Sequence, residues 1–184
     1  MKYIKKMRGE KCYLSPIFLD DAELYTKWLN DLEITQYLNV GVLSISLQGE
    51  KEALQRLAKE HNYAIIDNKS NSLIGNCGLH NWDKINQTAE IGIVIGNKEY
   101  LGKGYGTEAM TLLIRFAFDY LNIHTILLQV FSYNERAHAC YRKVGFREIG
   151  VWKESRLQKG KRHDTIFMEI TPEILASVQS SKIN

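Results

Sequence analysis

The sequence predicts an α/β domain: a mixed, mostly antiparallel central sheet of about seven strands, flanked by helices. Three observations carry that prediction. Strand-like apolar segments at Tyr63–Ile66, Leu73–Trp82 and Thr88–Ile95 follow one another with only turn-rich pieces between them, the mark of an antiparallel meander. Apolar residues then repeat at three and four over Thr107–Leu121, the mark of an amphipathic helix. Between the two patterns lies a glycine-rich run, Leu101-Gly-Lys-Gly-Tyr-Gly-Thr107.

The elements are expected in the order β-α-α-β-β-β-α-β-α-β-β. Cys12–Phe18 reads as a first strand with Pro16 at an edge or bulge. Asp20 or Asp21 is placed to cap a helix carrying Ala22, Leu24, Tyr25, Trp28 and Leu29. A second helix is expected from about Glu50 to Glu60. After the meander, the helix 107–121 presents Ala109, Leu112, Leu113, Phe116, Ala117 and Tyr120 on one side. A β-branched strand follows at Thr125–Val130, then a short helix at Glu135–Val144 between an N-cap Asn134 and a C′ Gly145. Phe146–Leu157 and Arg162–Ile170 flank the turn Gln158-Lys-Gly-Lys161 as the last two strands. The reading contains no repeat, linker or second domain, so the 184 residues are taken as one domain with its core at about 9–170.

Composition narrows the function classes. Hydrophobic residues at 45% and charged residues at 24% describe a chain able to bury a core. No segment reaches the ~20 apolar residues of a membrane span, and Gly9-Glu10-Lys11 interrupts any apolar stretch after the basic start. A cytoplasmic location and no membrane contact are therefore expected. The net charge of +3 is spread along the chain, which does not suit a nucleic-acid partner. Cys12, Cys77 and Cys140 have neither zinc nor disulfide spacing and read as small buried hydrophobes; His80, His138 and His163 likewise lack metal spacing, and no metal is expected.

The glycine run is where chemistry enters. Glycines let the backbone adopt positive φ and approach a ligand closely. The helix that follows opens with unpaired N–H groups and the positive end of its dipole, a seat for a phosphate or diphosphate, to which Lys103 adds a charge. A dinucleotide fingerprint is excluded because the third glycine comes too soon, and a Gly-x-x-x-x-Gly-Lys-Ser/Thr loop is absent.

Ala89-Glu-Ile-Gly-Ile-Val-Ile95 followed by Gly104-Tyr-Gly-Thr-Glu-Ala109 resembles the acetyl-CoA motif of the GNAT superfamily of N-acetyltransferases, written Gln/Arg-x-x-Gly-x-Gly/Ala. Its glycines fall on Gly104 and Gly106, and its first position falls on Leu101, a departure that removes one polar contact. A second block, Asn134-Glu-Arg-Ala-His-Ala-Cys-Tyr-Arg-Lys-Val-Gly-Phe146, is similar to the superfamily's Asn-x-x-Ala-x-x-x-Tyr-x-Lys-x-Gly-Phe. The opening around Gly9-Glu10, Tyr13-Leu14 and Trp28-Leu-Asn-Asp31, and the end Gly160–Met168, resemble the branch of ribosomal-protein N-terminal and spermidine N-acetyltransferases. Ser15 stands where an arginine is common there.

The resemblance implies a GNAT-like fold and transfer of an acetyl group from acetyl-CoA, as cosubstrate, to a primary amine by direct attack in a ternary complex. It implies cofactor contacts from Ile93, Val94 and Ile95 through their backbone, from Gly102, Lys103, Gly104, Tyr105, Gly106 and Thr107, and from Asn134 and Lys143. It also implies Tyr141 beside the coenzyme sulfur and Glu90 as the base or the holder of a water. Each has a plainer reading: Glu90 as a paired surface acid, Tyr141 as a core aromatic, Asn134 as a cap alone. Trp82, Asp83, Glu154 and Asp164 could line an acceptor pocket or belong to exposed turns. The acceptor, a protein or peptide N-terminus or a small molecule such as a polyamine, stays open, as does a homodimer. A non-catalytic acyl-CoA-binding module of the same fold is the alternative.

Overall fold

The computed structural model describes residues 2–39, 41 and 43–180. Eight strands, one more than expected, hydrogen-bond in the order β1-β2-β3-β4-β5-β6-β8-β7. They are β1 (Met7–Arg8), β2 (Cys12–Pro16), β3 (Asn62–Asp67), β4 (Leu73–Asp83), β5 (Thr88–Ile95), β6 (Thr125–Phe131), β7 (Arg147–Gln158) and β8 (Lys161–Ile170). The helices are α1 (Ala22–Leu29), α2 (Leu32–Thr35), α3 (Leu47–Leu57), α4 (Tyr105–Leu121), α5 (Glu135–Val144) and α6 (Pro172–Ser180). Three of these lie outside the expected order: β1, α2 and α6. Two compact units divide the chain, Met1–Leu79 with Ile93–Leu113, and His80–Gly92 with Ile114–Asn184.

In the first unit, β1, β2, β3 and the start of β4 form an antiparallel ladder, Cys12 to Pro16 lying opposite Asp67 to Tyr63. β3 is buried along its whole length. Tyr13, Ala64 and Ile66 from the strands meet Tyr25 and Trp28 of α1 and Leu54 of α3 in one core. Ser46 caps α3, its hydroxyl accepting from the Gly49 amide at 3.1 Å, so this helix starts before the expected Glu50. Asp21 does not use its side chain as a cap. Its carboxylate is buried and taken by the Lys2 ammonium and the Tyr3 hydroxyl, which offer a stronger partner than a helix amide. Ser15, at the position where an arginine is common in the branch that the opening resembles, is fully buried; its hydroxyl accepts from the Ile4 amide at 3.1 Å and donates to the Pro16 carbonyl at 3.1 Å. Cys12 and Cys77 are fully buried, and burial pushes both thiols up.

In the second unit, β5 runs parallel to β6, and β6, β8 and β7 continue antiparallel. The parallel ladder pairs Thr88 with Thr125, Ala89 with Ile126 and Glu90 with Leu127. Asn134 caps α5, its Oδ1 accepting from the Ala137 amide at 3.3 Å. Gly145 ends that helix at φ 127°, a value that L side chains rarely adopt, and its amide and that of Phe146 both close on the Tyr141 carbonyl. Lys159 and Gly160 turn the β7–β8 hairpin with φ of 48° and 77°.

On α4 the buried residues are Ala109, Met110, Leu113, Ile114 and Ala117. Tyr120, assigned to the apolar side from spacing, is 75% exposed and stacks on Phe116 instead. The core stripe is thus centred on Met110, Leu113 and Ile114. No helix among the described residues is long and apolar enough to cross a membrane.

Candidate functional site

The glycine loop opens α4 two residues earlier than the spacing suggests. Gly102 and Gly104 take φ of 72° and 88°, and α4 begins at Tyr105. The Gly104 carbonyl accepts the Glu108 amide at 3.1 Å, so Gly104 is the half-turn residue before the helix. By the geometry of a helix start, the amides of Gly104, Tyr105 and Gly106 have no partner within the helix. Leu101 closes the short 3₁₀ turn Lys98–Tyr100, and Lys103 is exposed between the two bent glycines.

Three side chains stiffen this start. The Tyr105 hydroxyl donates to Asp67 Oδ1 at 2.8 Å, and its ring meets Tyr100 edge-on at 5.0 Å. That hydrogen bond, with burial, raises the Tyr105 phenol to about 12. Burial pushes the Asp67 carboxyl up, yet the Ser70 hydroxyl and amide and the Tyr105 hydroxyl together hold it below its ordinary value. Glu108 is the third. Its carboxylate accepts the amides of Glu10, Lys11 and Cys12 at 2.9, 2.9 and 2.8 Å, tying the β1–β2 turn to the first turn of α4. Against the rise that burial imposes, those donors hold the Glu108 carboxyl low. Gly9 permits the approach: a Cβ there would lie 2.7 Å from the Glu108 carboxyl carbon.

The same turn delivers a cation that spacing did not reveal. The Lys11 ammonium lies 3.9 Å from where a Cβ on Gly104 would stand. Lys11 therefore joins Lys103 beside the open amides. No local pattern could have found it, because Lys11 and the loop are far apart in the chain.

Ile93, Val94 and Ile95 end β5 half-buried. The Val94 side chain packs on the core of the first unit, and a Cβ on Gly75 would lie 2.1 Å from its carbonyl oxygen, so β4 and β5 meet backbone to backbone there.

Glu90 sits in the second unit at the end of the parallel ladder. It borders a recess of ≈ 280 Å³ lined also by Leu127, Leu128, Gln129, Ile149, Gly150 and Phe167. The strand register explains the lining: Glu90 is opposite Leu127, Gln129 opposite Phe167, and Phe167 opposite Gly150, so one sheet face forms the floor. Glu90 is the one charged residue there. Its Oε1 accepts from Asn81 Nδ2 at 2.9 Å.

Tyr141 is half-buried on α5, its ring edge-on to Phe146 at 6.0 Å. Burial, with a smaller contribution from Cys140, pushes the phenol well above its ordinary value. The hydroxyl is thus protonated across the physiological range. Lys143 is exposed on the last turn of α5.

Other candidates are absorbed by local structure. Asp83 accepts from the amides of Ile85 and Asn86 and from Asn86 Nδ2, which makes it a turn residue. The Lys84 ammonium lies over the Trp82 ring at 4.9 Å. Asp164 accepts from Lys153 Nζ and the Glu154 amide, the lysine above all holding its carboxyl low, while Glu154 turns through φ 52°. His138 meets Glu148 at 2.8 Å, and His163 lies edge-on to Tyr133.

The chain belongs to the GNAT acetyltransferase family, whose domain model matches residues 11–147, and it is an acyl-CoA-dependent acyltransferase. It is 26% identical over 167 residues to the uncharacterized N-acetyltransferase p20 of Bacillus licheniformis, covering 88% of this chain and 93% of that one. It is 35% identical over 99 residues, 54% of each chain, to a Bacillus subtilis (strain 168) protein provisionally named ribosomal N-acetyltransferase YdaF. The fold matches that of spermidine N-acetyltransferase from Vibrio cholerae, solved with CoA and spermine, at a TM-score of 0.81 and 24% identity over 91% of this chain and 99% of that one.

Proposed function

We propose that the chain moves the acetyl group of acetyl-CoA onto a primary amine by direct attack, and that the acceptor is the α-amine of a peptide or protein whose first side chain is small or apolar. The observation that carries the acceptor reading is the recess beside Glu90: one carboxylate among Leu127, Leu128, Ile149 and Phe167. A polyamine, with several ammonium groups, calls for several acids; an α-amine with an apolar neighbour calls for one. The relative provisionally named as a ribosomal N-acetyltransferase supports the same class.

In this reading the amides of residues 104–106, with Lys11 and Lys103, take the coenzyme's diphosphate. The Ile93, Val94 and Ile95 backbone, with Asn134 and Lys143, serves the rest of the coenzyme. The amine nitrogen attacks the thioester carbon, the C–N bond forms, the C–S bond breaks, and the proton lost by nitrogen goes to Glu90 directly or through water. Tyr141 donates a hydrogen bond to the thiolate, which takes its proton from solvent. An α-amine has a pKa near ~7.8, so roughly 14% is neutral at pH 7, against roughly 0.04% of an alkylamine near ~10.4. A single carboxylate suffices for the former.

The test is release of free thiol from acetyl-CoA in the presence of short peptides, polyamines and aminoglycosides. The expected result is fastest release with a peptide bearing a free α-amine and an apolar first residue, and none once that amine is blocked. Silence across all three classes would overturn the proposal, and faster release with spermidine would overturn the acceptor class.

A further inference from the structure

The carboxylate of Glu90 is held from β4 by a residue with an uncommon backbone. Asn81 takes φ 49°, the left-handed region, within a strand. Few residues other than glycine do so; asparagine is among the more tolerant, and such strain gathers at functional positions. The bend has a visible consequence. Successive strand residues ordinarily point to opposite faces. Here both His80 and Asn81 serve β5 along one row: the His80 ring lies 3.4 Å from where a Cβ on Gly92 would stand, and Asn81 Nδ2 reaches Glu90 Oε1 at 2.9 Å. Glu90 and Gly92 are two residues apart and share a face. Gly92 leaves room for the imidazole.

We infer that Asn81 is a positioning residue for the transfer: its side-chain amide fixes the Glu90 carboxylate at the recess, leaving Oε2 for the substrate's proton. Among the described residues Asn81 is the one hydrogen-bond donor to that carboxylate. A carboxylate has no donor of its own, so the amide must present its NH₂. The remaining lining from β6, β7 and β8 is uncharged, and the His80 imidazole is set against the same stretch of β5 at Gly92. The inference rests on the proposed role of Glu90.

Two substitutions separate side chain from backbone. Asn81→Gly removes the donor and accepts positive φ freely. Asn81→Asp keeps the shape and turns a donor toward Glu90 into an acceptor. With acetyl-CoA and a peptide of apolar first residue, Asn81→Gly is expected to lower kcat about tenfold, with the KM for acetyl-CoA within about twofold, the size of effect that follows from losing a hydrogen bond to a charged group. Asn81→Asp is expected to lose more at pH 8 and to recover relative to wild type toward pH 6, as the paired carboxyls come to share a proton and donation returns. A bystander role would produce no such pH-dependent recovery. Wild-type kcat in both variants, or a loss confined to KM, overturns the inference. Glu90→Gln is measured alongside: full activity there removes the role of Glu90 and this inference with it. Impairment there with intact Asn81 variants removes this inference alone.

Discussion

Tyr141→Phe is expected to lower kcat by about a hundredfold, the lower end of what a positioned proton donor contributes, while binding of acetyl-CoA changes little. Only an oxygen is removed. The ring remains against Phe146, and among the described residues no hydrogen bond is lost with it. The direction of the phenol's shift sharpens the expectation. Burial drives it up, so it is a poorer acid than free tyrosine and does not surrender its proton to a thiolate near ~8.5. It stabilises the leaving sulfur by donating to it. For the same reason wild-type activity should show no loss from Tyr141 ionisation anywhere below about pH 10. Unchanged kcat in the variant, or a loss that follows a lowered melting temperature, would remove Tyr141 from the chemistry.

The second large effect concerns stability. Glu50, on the first turns of α3, is 4% exposed, and burial pushes its carboxyl up to about 7. Among the described residues it has no cationic partner, and the Tyr25 phenol is the group that feels its charge. The folded pKa is raised above the unfolded value, so the native state holds this proton more tightly. The Glu50 contribution to stability is therefore fullest below about pH 4.5, falls as pH rises toward 7, and stays reduced above it. At about 1.4 kcal/mol per pH unit between the two values, the penalty at pH 8 is ~3 kcal/mol. Glu50→Gln, neutral at every pH, should be more stable than wild type by up to that amount at pH 8 and gain nothing at pH 4.5. Urea denaturation at both values checks it. Equal or lower stability of the variant at pH 8 would show that the carboxylate has found a partner or water.

Why some of this was legible in sequence and some was not is a matter of range. The meander, α4 and α5 were readable because periodicity, caps and a C′ glycine are local; Asn134 and Gly145 stand at the two ends of α5 as spacing placed them. β1 has two residues and α2 four, too few for any period to show. α6 carries a local signal of its own, Thr171 as cap before a first-turn Pro172. The apolar side of α4 was drawn too far toward Tyr120, because spacing shows a stripe but not which of its residues the core reaches.

The site divides the same way. Bent glycines before a helix are a local feature. Lys11 beside Gly104, Glu108 latched to residues 10–12, and Asn81 on Glu90 depend on strands brought together by the fold. Glu108 alone left a hint, since an acid in a helix's first turn is favoured by the dipole. That reasoning points to the helix's own amides, whereas the carboxylate serves those of another segment.

The most direct measurement is calorimetric titration of the protein with acetyl-CoA, with Gly104→Val beside it. Wild type should show saturable heat at one coenzyme per chain, undisturbed by excess ATP or NAD. The variant, forced from φ 88° by a branched side chain, should bind at least about tenfold more weakly. No heat from the wild-type protein with any acyl-CoA would mean that the loop at the head of α4 is a turn and nothing more.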